Sequence, residues 1–290
     1  MQAKHLNLQN IRLKRLLLFV LCVTVLALGC NKTPQRSAEP KAHYAVTTSW
    51  LECCLRDLLG PNLPVVRVCP PGSCPGHFDL SPGSLTDLKY CRTLFLFDFQ
   101  QAMDDKLAGL KEAGVRLSPI KAPEGLCVPA SYLAGCQAVR DALVQTEPDK
   151  KTALDAALVR THERLEDLER EIRGRIKATG LNGAQVVTSG HQAEFCHWLD
   201  LKPVAAYSGG DAATPAQLES LIKQGKQAGV RFVIANQQEG RQVGEALAWQ
   251  LGAKLVVFSN FPMMNAGESS FDALVRGNVA NLIAAAEMKP

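Results

Sequence analysis

Several features of binding and catalytic proteins are missing from this 290-residue sequence. Its lysines and arginines form no cluster interleaved with aromatic residues, which excludes a nucleic-acid-binding surface. It contains no Ser/His/Asp arrangement for nucleophilic catalysis and no His-Glu-x-x-His motif of a metalloprotease helix. Its cysteine spacings fit neither a zinc ribbon nor a Cys-x-x-Cys redox motif. No residue pattern therefore points to covalent chemistry.

A hydrophobic run long enough to cross a bilayer as a helix, roughly 20 residues, is also missing. The run at residues 16–28 is shorter, follows four basic residues and ends at Leu-Ala-Leu-Gly-Cys30. This pattern is typical of a secretory signal and resembles a bacterial lipobox. The resemblance implies that residues 1–29 are removed and that Cys30 carries a lipid. The alternative is a plain signal anchor in which Cys30 is an ordinary residue.

The small net charge comes from this leading segment. Residues 1–29 contain four basic and no acidic residues, so their removal takes the formal net charge from +4 to zero. Residues 30–43 are polar and contain proline, and we expect them to be a flexible tether. The remaining chain is long and apolar enough for one large domain or two of ordinary size.

β-prone and helix-periodic segments alternate twice along the chain, in residues 44–146 and again in residues 180–290. Alternation of this kind predicts an α/β fold in which each half is a lobe with a parallel sheet flanked by helices. Between the halves, residues 147–179 contain no proline after Pro148, and their apolar residues recur at helical spacing. This segment predicts one long amphipathic helix joining the lobes. The alternative is an ordinary packed helix within a single domain.

The most informative segment reads Pro-Gly-Ser-Cys-Pro-Gly-His-Phe-Asp-Leu-Ser-Pro, residues 71–82, and follows a short apolar run. Proline restricts φ and glycine permits unusual φ, so such a loop holds its side chains in a set direction. We therefore expect His77 to belong to a ligand site. A second histidine, His191, follows a β-prone run and the residues Thr-Ser-Gly. The alternative for either histidine is a structural role, in which the imidazole only forms hydrogen bonds to the backbone.

Taken together, the signal, the Pro-Gly loop ending in His77, the long central helix and the Thr-Ser-Gly-His191 turn resemble one family. It is the metal-binding solute-binding proteins of ABC importers, of the zinc and manganese type, and the similarity covers nearly all of residues 44–288. The resemblance implies two lobes with a divalent transition metal in the cleft, delivered to a membrane permease. It also implies an extracytoplasmic, lipid-anchored and monomeric protein.

The resemblance also implies a set of metal ligands. His77 and His191 match two of the family's histidines, and Glu124 stands at a third ligand position with Cys127 close by. The family's last acidic ligand corresponds to Ser259 or Asn260, where this chain departs from the pattern. Two imidazoles with a carboxylate suit zinc, and more carboxylates favour manganese, so we expect Zn²⁺ and keep Mn²⁺ or another transition metal as the alternative.

Eight cysteines follow Cys30, and an even number in an exported protein suggests disulfides. Cys69 and Cys74 flank the turn beside His77, and Cys127 with Cys136 is a second local pair. A thiolate-containing metal site built from Cys74, Cys127 or Cys196 is the alternative.

Three other functions stay open at this point. The first is a receptor of the same fold for a metal chelate or an organic ligand, suggested by Ser259 and Asn260 where an acid is expected. The second is a secreted metallohydrolase or thiol oxidoreductase, and the third is an adhesion protein. The stretch Asn-Gln-Gln-Glu-Gly at residues 236–240 follows a strand, so Asn236 is either a binding residue or part of an ordinary turn.

Overall fold

The computed structural model describes residues 42–71, 73, 82–209, 214–264 and 270–288. The predicted signal, Cys30, Cys74 and His77 lie outside the described residues. The described chain forms two four-stranded parallel sheets flanked by helices, which confirms the predicted α/β class. In the part of the chain that the structure covers, no helix has both the length and the apolar character to span a bilayer.

The N-terminal half builds the first sheet, in the order β2-β1-β3-β4. Every pairing is parallel, and Tyr44 lies opposite both Val65 and Thr93. Its elements in chain order are β1 (Tyr44–Val46), α1 (Ser49–Leu59), β2 (Val65–Arg67), α2 (Pro82–Leu88), β3 (Thr93–Phe97), a 3-10 turn (Asp98–Met103), α3 (Asp104–Glu112), β4 (Arg116–Ile120) and α4 (Pro129–Thr146).

Helix α1 shows how local signals set these boundaries. It begins after Thr48, whose hydroxyl accepts a hydrogen bond from Leu51 N at 3.3 Å and so satisfies one free N–H of the first turn. It ends at Gly60, a residue type common just after a helix, with φ of 114° and its N–H donating to Arg56 O at 2.8 Å. That conformation strains any residue with a Cβ.

The C-terminal half repeats the topology, in the order β6-β5-β7-β8. β5 thus lies between β6 and β7, so β5 and β7 are neighbours in the sheet although β6 separates them in the chain. The elements are β5 (Gln185–Ser189), a 3-10 turn (Gly190–Gln192), α6 (Ala193–Trp198), β6 (Lys202–Tyr207), α7 (Pro215–Ala228), β7 (Phe232–Asn236), a 3-10 turn (Gln237–Glu239), α8 (Gln242–Leu251), β8 (Lys254–Phe258) and α9 (Phe271–Glu287).

Helix α5 (Lys151–Ala178) is the predicted long helix, preceded by a 3-10 turn at Pro148–Lys150. Its 28 residues span about 42 Å at 1.5 Å each. It packs against α1 and α4 of the first half and against α9 of the second. One continuous hydrophobic core therefore includes residues of both halves and the helix. The helix residues buried in it are Leu154, Ala157, Leu165, Leu168, Ile172 and Ile176.

Candidate metal centre

A cavity of about 580 Å³ lies between the two halves, at the carboxyl ends of their strands. Loops at this edge of a parallel sheet are where open α/β folds bind ligands. The wall from the first half comes from the loop after β4 and from Phe99 on the turn after β3. The wall from the second half comes from the loops after β5, β7 and β8. The polar side chains in these walls are Glu124, His191, Glu194, Asn236, Gln238, Glu239 and Asn260.

His191 projects into this cavity from the end of β5. Ser189 ends the strand, and its hydroxyl accepts a hydrogen bond from His191 N at 3.3 Å, which starts the 3-10 turn that carries the imidazole. The side chain of His191 is 69% exposed and therefore open to a ligand. The predicted position after a strand and a Thr-Ser-Gly turn thus agrees with the structure.

Glu124 reaches the same cavity from the other half. Its backbone carbonyl accepts a hydrogen bond from Ser131 Oγ at 2.7 Å, which ties the loop after β4 to the start of α4. The next residue, Gly125, has φ of 67°, and a Cβ there would lie 2.9 Å from Glu194 Cβ. Glycine is thus needed where this loop approaches the second half. The structure brings Glu124 and His191 to one cavity.

Glu239 is the carboxylate at this site that the sequence analysis missed. Its Oε1 lies 3.6 Å from His191 Nε2. Ser189 Oγ donates to its Oε2 at 2.5 Å, and Gly209 N donates to its Oε1 at 3.1 Å. Asn236, the candidate binding residue of this stretch, is 2% exposed, and its side chain accepts a hydrogen bond from Gln238 N at 3.4 Å. Asn236 therefore shapes the turn that carries Glu239.

Ser259 and Asn260 follow β8, where the resemblance implies an acidic ligand, and the side-chain oxygens of both residues have protein partners. Ser259 Oγ donates to Phe261 O at 2.9 Å and accepts from Gln238 Nε2 at 3.0 Å. Asn260 Oδ1 accepts from Gln192 Nε2 at 2.9 Å. Both residues are buried, and Asn260 also lines the cavity. Neither side chain brings a charge to the site.

Cys127 is fully buried, and its thiol donates to Ser259 O at 3.0 Å across the two halves. Asn278 Nδ2 in turn donates to Cys127 Sγ at 3.5 Å. Burial raises the pKa of the Cys127 thiol, and it raises that of Cys196 to about 12. A metal ligand must be a thiolate. Burial thus favours the neutral form of both thiols in the metal-free protein, and a thiolate-containing metal site at these cysteines stays a prediction.

The disulfide predictions have a mixed outcome. Cys127 and Cys136 are separate thiols, so the structure contradicts a bridge between them. Cys69 is buried, and its predicted partner Cys74 lies outside the described residues. Within the described ranges, no three His, Cys, Asp or Glu side chains stand close enough together to hold a metal ion. The described candidates are thus the pair His191 and Glu239, with Glu124 across the cavity.

These residues offer imidazole nitrogen and carboxylate oxygen. Zinc accepts both, usually with four ligands, and manganese prefers a larger share of carboxylate. Polar groups of Ser189, Gly209 and Gln192 hold the neighbouring side chains in place, so the second-half wall of the cavity is pre-formed. Such an arrangement can capture a cation without reacting with it.

Comparisons with known proteins point the same way. The sequence model of the family described as "ZnuA: Zinc-uptake complex component A periplasmic" matches residues 45–285. A zinc-bound deletion mutant of ZnuA superposes with a TM-score of 0.69 at 17% identity, covering 86% of this chain and 99% of the other. A manganese-bound periplasmic metal-binding protein from Candidatus Liberibacter asiaticus gives 0.71 at 12% identity, covering 85% and 100%. At these identities the superpositions establish the fold alone. No curated protein sequence matches the chain.

Proposed function

Because the chain belongs to the ZnuA family of periplasmic metal-binding receptors, we propose that it captures zinc in the cavity between its halves. It then hands the ion to an ABC transporter permease. Receptors of this family bind solutes and are not enzymes, and this chain is a metal-binding receptor of that kind. The observation that supports the cavity as the capture site is the convergence of His191 and Glu124 on it from opposite halves.

The proposed ligand set is His77, His191 and Glu124. Zinc is preferred over manganese in this proposal because two of the three ligands are imidazoles. Cys127, Ser259 and Asn260 have contacts inside the protein that support a structural role instead of metal binding. The set of three leaves a position for a fourth ligand.

The location and partners belong to the same proposal. Signal cleavage before Cys30 and lipidation of that residue would anchor the receptor outside the cytoplasm, at a membrane that also holds the permease. Residues 30–43 would be the tether, and the receptor would work as a monomer. These statements rest on the lipobox pattern and on the family.

A metal chelate or organic ligand is the second candidate, and one observation favours it. The cavity of about 580 Å³ falls in the range of small-molecule sites, about 300–1,000 Å³, and exceeds what a bare ion fills. The neutral Asn260 in its wall suits hydrogen bonding to an organic group better than binding a cation.

The experiment that tests the proposal is elemental mass spectrometry of the protein purified without chelators from an oxidising compartment. The wild type should contain about one equivalent of zinc, and the double variant His77→Ala with His191→Ala should contain none. The matched control changes His162 and His197, which pair with exposed carboxylates outside this ligand set, and it should keep the metal. A wild type that stays metal-free after incubation with excess zinc or manganese would overturn the proposal.

A further inference from the structure

The position after β8, where an acidic ligand is expected, supplies no charge, because Ser259 and Asn260 are neutral and bonded within the protein. A carboxylate stands on a different loop of the same cavity, after β7. We propose that Glu239 is a ligand of the captured metal and binds it through Oε1 together with His191 Nε2. This inference rests on the proposed function, since it names a ligand of the same site.

The distance between the two atoms fits a shared ion. Zinc binds histidine nitrogen at about 2.0–2.1 Å and carboxylate oxygen at about 2.0–2.2 Å, so two such ligands at a tetrahedral angle lie about 3.4 Å apart. His191 Nε2 and Glu239 Oε1 are 3.6 Å apart. A shift of a few tenths of an ångström would let both bind one ion.

Two hydrogen bonds also hold the Glu239 carboxylate in place, as expected of a metal ligand. Ser189 Oγ occupies one site on Oε2, and Gly209 N occupies one on Oε1. A carboxylate has about four lone-pair sites, so positions remain for a cation. Hydrogen bonds of this kind orient metal ligands and add considerably to metal affinity. Ser189 ends β5, directly before His191, and Gly209 follows β6. The same edge of the second sheet therefore positions both ligands.

Gly209 lies so close to the Glu239 side chain that it has no room for a Cβ. A Cβ at this residue would lie 2.4 Å from Glu239 Cβ and 2.6 Å from Glu239 Cδ, closer than any real contact. Any larger residue must therefore displace the Glu239 side chain. This makes Gly209→Ala a variant that displaces the carboxylate without removing it.

The test is zinc affinity of the purified protein, measured by competition with a chelator, for the wild type, Glu239→Gln and Gly209→Ala. Glu194→Gln is the matched control: it removes the same charge from the same cavity, but its carboxylate lies 3.8 Å from His197 Nδ1. We expect zinc affinity to fall at least 30-fold in Glu239→Gln and about tenfold or more in Gly209→Ala, as for lost ligand support. The control should stay within threefold of the wild type. Zinc-edge X-ray absorption should show one oxygen ligand fewer in Gly209→Ala.

The outcomes separate this inference from the proposed function. If the wild type binds zinc and Glu239→Gln binds it equally well, Glu239 is not a ligand and the receptor proposal stands. If Glu239→Gln and Glu194→Gln lose the same affinity, the effect is one of overall charge, and the inference is again overturned. If the wild type binds no zinc, both proposals fall. Thermal unfolding of each metal-free variant within about 3 °C of the wild type shows that the fold is intact.

Discussion

Arg164 on the long helix connects both halves of the protein, so its removal tests how they are held together. Its Nη2 lies 2.5 Å from Asp57 Oδ2 on α1, and its Nη1 donates to Asp272 Oδ1 at the start of α9. Tyr132 of α4 adds a hydrogen bond from its hydroxyl to Asp57 Oδ2 at 2.7 Å. One guanidinium thus pairs with a carboxylate from each half. We predict that Arg164→Met destabilises the whole domain.

The size of the loss follows from partial burial. Breaking a buried ion pair costs about 3–5 kcal/mol, because the other charge stays buried without a partner. An exposed pair is worth about 0–1 kcal/mol. The side chains of Arg164, Asp57 and Asp272 are 33%, 26% and 10% exposed, between these limits. We expect a loss of about 2–3 kcal/mol, or about 4–12 °C in Tm for a domain of this size.

The loss should depend on pH. Burial raises the pKa of Asp57, while the charge of Arg164 opposes that rise. Without Arg164 the pKa rises further above its unfolded value. A carboxyl group whose pKa is raised by folding costs stability as the pH rises through that range and costs none when protonated. Arg164→Met should therefore lose more stability at pH 7.5 than at pH 4.5.

The assay is urea denaturation followed by circular dichroism at both pH values. Arg170→Met is the matched control, because Arg170 lies on the same helix and its pair with Asp167 is 70% exposed on both sides. Its cost should stay below about 0.5 kcal/mol. An Arg164→Met protein as stable as this control, or one with equal losses at both pH values, would show that the Arg164 ion pairs do not hold the two halves together.

Three further predictions follow from packing, burial and ligand chemistry. Gly135→Ala should lower the free energy of unfolding by at least about 1–3 kcal/mol, because its Cβ would lie 2.2 Å from a ring carbon of the fully buried Trp50. An unchanged midpoint in urea denaturation would contradict this prediction. Cys127 and Cys196 should resist iodoacetamide at pH 8 in the native protein and react in urea, since burial raises both thiol pKa values. Rapid labelling of the native protein, detected by peptide mass spectrometry, would contradict this prediction. Zinc affinity should be weaker at pH 5 than at pH 8, because an imidazole must be neutral to bind metal. Calorimetric titrations that give equal affinity at the two pH values would contradict histidine ligation.

Periodicity and turn residues made much of the fold predictable. The alternation of strands and helices, the end of α1 at Gly60 and the long apolar face of α5 all follow from spacing in the sequence. Helices α4 and α9 are not evident from that spacing. Helix α4 carries Gly135 in its middle, and α9 carries Gly277 and Asn278, residues that weaken the helical signal.

Tertiary contacts explain those residues. Gly135 lets the ring of Trp50 approach the α4 backbone. Asn278 accepts from Ser259 N and donates to Ser259 O, both at 2.9 Å, so it fixes the chain after β8. These packing and hydrogen-bonding requirements arise only once each helix is packed against its neighbours, and no local sequence pattern indicates them. Helical propensity is overridden by the packing at both places.

The residues of the candidate site also differ in whether the sequence predicts them. His191 was predictable because it follows a strand in a recognisable turn, and Glu124 was predicted from the resemblance to the family. Glu239 was not, because its closeness to His191 depends on the pairing of β5 with β7, which are not consecutive in the chain. Residue spacing carries no information about that neighbourhood. The domain limits at residues 44–146, 147–179 and 180–290 and the His77 ligand stay predictions.

The most direct test of metal capture between the two halves is anomalous diffraction at the zinc edge from crystals of the zinc-loaded protein. We predict one strong peak inside the cavity, about 2.0–2.1 Å from His191 Nε2. A peak on the outer surface, or none in the cavity at full zinc loading, would contradict capture of the metal between the two halves.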